Sequence, residues 1–167
     1  MTTSSRQESI GYSTSSTSTV MPEKYKNNGW GTFSQNNSSS GKFTPGDIVS
    51  KNVSVNGHVW IVIGQCSDGS VVVVHSSSGG TQLAGTPSSA GVTNSQAATL
   101  ASTYMNRYHS AHKSKFGLSG RTGSGYLTPV NRFQWDVTSN SSKRVFKDDE
   151  GLQGKTAAEV LKILYGE

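Results

Sequence analysis

Two short apolar runs joined by a polar turn constrain this chain most. His58-Val59-Trp60-Ile61-Val62-Ile63 and Val71-Val72-Val73-Val74-His75 are rich in β-branched residues, which fit a pleated surface. Between them, Ser67-Asp68-Gly69-Ser70 carries a turn signal. Runs this short and this continuously apolar predict a β-hairpin buried on both faces. The Pro45-Gly46 turn leads into a third short strand, Asp47-Ile48-Val49. After Gly79-Gly80 breaks the second run, Thr81-Gln82-Leu83-Ala84 can add another.

The remaining sequence is polar. Hydrophobic residues make up 32% and charged residues 15% of 167 positions, with 19 glycines. Such a balance excludes a helical bundle or coiled coil, and the glycines lack the period of collagen. No apolar run approaches a membrane span. The net charge is +5, but the basic residues are scattered, with small groups at 23–26, 107–115 and Lys143-Arg144. This fits a solvated surface, or contact with an anionic wall polymer, better than a nucleic-acid interface, and no nucleic-acid partner is expected.

Residues 1–41 read as a polar, irregular segment with large anchors at Ile10, Tyr12, Val20, Met21, Tyr25, Trp30 and Phe33. Its first residues lack an apolar core, so no signal peptide is expected, and any export signal would lie upstream. Downstream of the hairpin, Asn94 or Ser95 can cap a helix running to about His112. Residues 116–125 form a glycine-rich loop without a phosphate-loop pattern. A strand is expected near Val130–Val137, with Phe133 and Trp135 on one side. Thr156-Ala157-Ala158-Glu159 is a capping box opening a terminal helix.

His58 and His75 stand at the start of one strand and the end of the next. A tight turn at Asp68-Gly69 would place His75 opposite Val62, leaving the imidazoles ~13 Å apart. A four-residue loop, 65–68, would pair His58 directly with His75, with Cβ atoms about 5 Å apart. The residues alone leave both registers open. A joined pair could be a base and its orienting partner serving a nucleophile. It could equally be two hydrogen-bonded sheet histidines. The nearest carboxylates, Asp47 and Asp68, lack metal-ligand spacing, so neither a metal nor another cofactor is expected.

Pro45-Gly46-Asp47-Ile48-Val49, then Gly57-His58-Val59-Trp60-Ile61-Val62-Ile63-Gly64, then Val72-Val73-Val74-His75-Ser76 resemble the second half of an NlpC/P60 cysteine peptidase domain. The related CHAP amidase domains share the Gly-Asp and Gly-His-Val parts, and His75 favours NlpC/P60. The resemblance covers residues 42–84. It implies an α+β fold: a papain-like antiparallel sheet with flanking helices, acting outside the cell or at the wall on peptidoglycan stem or cross-link peptides. It implies His58 as general base and His75 as its orienting group. Trp60, Ser76 and Asp47 are the groove candidates. It also implies a nucleophilic cysteine at the start of a preceding helix, and here the chain departs from the pattern. Cys66 is its one cysteine and lies in the turn, over ~15 Å along the strand from His58.

Two expectations follow for residues 42–167, read as a partial domain with a C-terminal helical extension. Either the nucleophile helix lies on a longer protein, or the domain is a pseudoenzyme that retains a peptidoglycan-binding groove. In both, the chain as written is not expected to hydrolyse through a thiol. The aromatic residues Tyr126, Phe133 and Trp135 suit a second small core or a glycan-facing surface, and His109 and His112 suit the end of a basic helix.

Overall fold

The computed structural model describes residues 21–37, 42–51, 58–77, 80–111, 130–137 and 148–167. Among them are a short helix α1 (Met21–Asn27), strands β1 (Gly31–Asn37), β2 (Ile48–Lys51), β3 (His58–Gln65), β4 (Val71–Ser77) and β5 (Gly80–Gly85). Helix α2 (Gln96–Tyr108), strand β6 (Val130–Trp135), a single 3-10 turn (Leu152–Gly154) and helix α3 (Ala157–Tyr165) follow. The architecture is α+β. The six described strands form one sheet in the order β1-β6-β2-β3-β4-β5, with every pairing antiparallel.

The two faces of the sheet are covered differently. On one face α2 packs on β4 and β5, and α3 packs on β3. Their shared core is Val72, Ala97, Tyr104, Ala157 and Leu161, with Ile63, Leu83 and Leu100 beside it. Close approach there depends on two glycines. A Cβ on Gly85 would lie 2.1 Å from the Ala98 nitrogen, and one on Gly64 would lie 2.7 Å from the Ala157 Cα. The opposite face carries Phe43, Val49, Trp60, Val62, Val71, Val73, Ala84 and Val130. Each valine or phenylalanine among them, once buried, contributes about 1.5–3 kcal/mol. No helix among the described residues packs on this second face.

The helix ends follow their residues. Ser95 caps α2, accepting from the Ala98 N–H at 3.1 Å. Thr156 and Glu159 form the reciprocal capping box of α3, and Gly166 ends that helix at φ 72°. α2 ends at Tyr108 with His109 as its C-cap, the His109 N–H bonded to the Met105 carbonyl; the expected end at His112 lies outside the described residues.

The stretch before residue 42, expected to be irregular, contributes α1 and an edge strand to the sheet in its described part, 21–37. β1 lacks apolar alternation because backbone bonds to β6 hold it, with Phe33 opposite Phe133. Tyr25 of α1 packs against Trp30, Phe133 and Trp135 at ring distances of 5.2–5.5 Å. Phe133 is therefore core, fully buried. Tyr126, His112 and the 116–125 loop lie outside the described residues. Burial of the central hairpin is incomplete on the helix side, where Ile61 is 45% exposed.

Candidate functional site

The β3–β4 hairpin adopts neither of the two expected registers. Trp60 pairs with His75, Ile61 with Val74 and Val62 with Val73, but Gly64 then pairs with Val72. β3 thus carries one extra residue between Val62 and Gly64, a β-bulge. Its consequence is large, because a slip of one residue moves every side chain to the other face. Gln65 pairs with Val71 at the turn end. If that register continued without the bulge, His75 would face Ile61, across the sheet from His58. With the bulge, His58, Trp60 and His75 share the face on which no helix of the described residues packs.

His58 sits diagonally across from His75, within reach of long side chains. Its Nε2 lies 3.0 Å from His75 Nδ1, with the rings nearly perpendicular at 77° and 5.0 Å apart. His75 is 4% exposed. On its other side, Gln82 Nε2 lies 3.1 Å from His75 Nε2. Gln82 is placed there because β5 pairs Gln82 directly with His75, and it too is buried. The result is a chain of polar groups, Gln82–His75–His58, running from the core to a half-buried imidazole. Burial pushes the His58 pKa below its ordinary value of 6.5. A neutral imidazole at neutral pH is the form a general base requires.

The other residues singled out from sequence fall in different places. Trp60 stands beside His58 on the same face, 5.7 Å from its ring, and is 2% exposed. It packs the floor under His58. Ser76 follows His75 and so points to the opposite face by strand alternation, where it is exposed. Asp47 lies at the level of Val62, whose N–H it receives at its carbonyl, four residues along β3 from His58. Its carboxylate is buried. It accepts from the Thr44 N–H and hydroxyl at 2.8 Å each and from Arg132 Nε at 2.9 Å. Burial pushes the Asp47 pKa up, and those donors oppose the shift. Arg132 also donates to the Lys42 carbonyl and lies over the Phe43 ring. Asp47 therefore braces the Pro-Gly turn against β6.

Cys66 lies at the end of β3 and packs against the core under α2 and α3, the other side of the sheet from His58. Burial pushes its thiol pKa up, and nearby Asp68 adds to that. An activated thiolate needs the reverse environment. Among the described residues no group of three His, Cys, Asp or Glu side chains could hold a metal ion. No helix of the described residues is long and apolar enough to cross a membrane.

Two features of this region escaped the sequence reading. Gln82 is one: a two-residue connection at 78–79 pairs Ser77 with Gly80 and hence His75 with Gln82, a count available from sequence. Arg132 is the other, a basic residue in a strand with no local sign of its buried partner 85 positions away. Compared with protein-family models, curated proteins and solved structures, the chain matches none.

Proposed function

We propose that this chain is the histidine-bearing part of a wall-peptide hydrolase of NlpC/P60 type, with a papain-like arrangement of its sheet. In this reading it works at the cell wall or outside the cell. It holds peptidoglycan stem or cross-link peptides against the sheet face at His58. The observation that carries the reading is the 3.0 Å contact between His58 and His75, with His75 buried and His58 half-exposed. An orienting group belongs in the core and a base belongs at the surface where substrate arrives. The order of the Pro-Gly-Asp, Gly-His-Val and strand-ending His segments supports the same assignment.

The chemistry follows from which ring nitrogen is used. His58 Nε2 faces His75, so an attacking group is served through Nδ1. Nδ1 accepts the proton of that group as it adds to a peptide carbonyl. The imidazolium then returns the proton to the leaving amine. His75 holds the ring in place through both protonation states.

A second reading is favoured by one observation: the chain's thiol is on the other side of the sheet. In that reading the sheet face at His58 binds wall peptides without cutting them. Incubation of the purified protein with peptidoglycan sacculi tests the wall-peptide contact that both readings share, reading retention in the pellet and newly formed free amines. Retention is expected, with no amine release that depends on Cys66, so that wild type and Cys66→Ser behave alike. Retention no greater than on cellulose overturns the wall-peptide reading. Amine release abolished by Cys66→Ser overturns the exclusion of that thiol.

A further inference from the structure

We propose that Gln82 is a positioning residue that sets the direction of the proton chain through His75 to His58. The inference rests on the reading of His58 as a base.

Hydrogen bonds along Gln82–His75–His58 must alternate donor and acceptor, which leaves two consistent arrangements. With the Gln82 amide nitrogen toward His75, His75 Nε2 accepts. His75 Nδ1–H then donates to His58 Nε2, and the proton of neutral His58 sits on Nδ1. With the amide turned over, the Gln82 oxygen accepts from His75 Nε2–H. His75 Nδ1 then accepts from His58 Nε2–H, and His58 Nδ1 carries the lone pair. Only the second arrangement is a base at Nδ1. It is also the one a protonated His58 requires, since its Nε2–H must find an acceptor in His75. The proton gained at Nδ1 stays on His58, and no proton has to leave the chain.

A glutamine suits this position for a physical reason. Its amide presents a donor and an acceptor of nearly equal shape, so either end can meet the buried imidazole. Among the described residues the Gln82 side chain makes no other hydrogen bond, so turning it over breaks no second contact there. Direct pairing of Gln82 with His75 across β4 and β5 keeps either end within reach.

The test is imidazole tautomer state, read by long-range proton–nitrogen correlation spectra of protein labelled at histidine nitrogen. In wild type, His58 and His75 are expected to share a tautomer, both Nε2–H or both Nδ1–H. Gln82→Glu, which only accepts near neutral pH, is expected to drive both rings to Nε2–H by at least tenfold. Gln82→Met removes the partner while keeping length, and is expected to leave the two rings sharing a tautomer through their own hydrogen bond while changing the ratio of the two shared forms. If Gln82→Glu does not fold, the methionine variant, checked by its thermal melt, carries the test. Unchanged tautomers and titration in Gln82→Met overturn the proposal. The spectra require no substrate, so this outcome is separate from failure of the protein to bind wall peptides.

Discussion

His58 reaches His75 because β3 has one residue more than β4 requires. The 3.0 Å contact between Nε2 and Nδ1 exists only on the near side of the bulge between Val62 and Gly64. The bulge also lets the other end of β3 turn into Cys66, under the helices. A single irregularity thus puts the imidazoles on one face and the thiol on the other.

The first prediction concerns His58 itself. Its pKa is lowered by burial, so the unfolded chain binds a proton more readily than the folded one. Stability from the neutral ring is full above pH ~6.5 and is lost as pH falls through the folded-state value. Nuclear magnetic resonance titration is expected to place the His58 midpoint below 6.5. His58→Gln is expected to flatten the pH dependence of the melting temperature in the same window.

Asp68 ties the β3–β4 turn to the start of α2. It accepts from the Ser70 N–H at 3.0 Å and from the Gln96 N–H at 2.9 Å. Its slight burial pushes the pKa up, but the bonds from Ser70 and Gln96 outweigh this and leave it lowered. A lowered carboxylate stabilises the fold above its unfolded pKa, and that stability is lost as pH falls through the folded value. Asp68→Ala is expected to cost ~1–2 kcal/mol at pH 7 in urea unfolding. The difference from wild type should shrink below pH ~4.

The Asp47–Arg132 pair is almost fully removed from water, with side chains 2% and 4% exposed. Removing one member leaves the other charge buried. Arg132→Met is expected to cost about 3–5 kcal/mol. Adding Asp47→Asn to it should recover part of that loss, because the stranded charge is gone. Denaturant midpoints of the single and double variants check this.

Gly85→Ala would press a methyl group into the backbone of α2 at Ala98. Backbone cannot yield as a side chain end can, so a loss of at least ~1–3 kcal/mol is expected. Gly154→Ala meets nothing within 4 Å and should stay within about 0.5 kcal/mol of wild type. Thermal melts of the two variants are the comparison.

Particular residues show how far the sequence could be read. The hairpin was legible because Val59–Ile63 and Val71–Val74 are short, apolar and bounded by Asp68-Gly69. The cap at Ser95 and the Thr156–Glu159 box were legible because capping is local chemistry. β1 was not, since Gln35 and Asn36 lie in a strand held through backbone bonds to β6, which no side-chain pattern records. The register was not, because a bulge at Ile63 leaves no mark in composition. It determines whether His58 and His75 meet, so the site rests on the least legible feature of the chain.

The most direct test of the wall-peptide reading is titration of a soluble peptidoglycan stem peptide into histidine-labelled protein. The ring signals of His58, His75 and His109 serve as reporters, with His109 held by Tyr165 at the end of α2 as the control. Saturable shifts at His58 and His75, with His109 unmoved, are expected. No shift at His58 at millimolar peptide, or equal shifts at all three rings, would contradict the assignment.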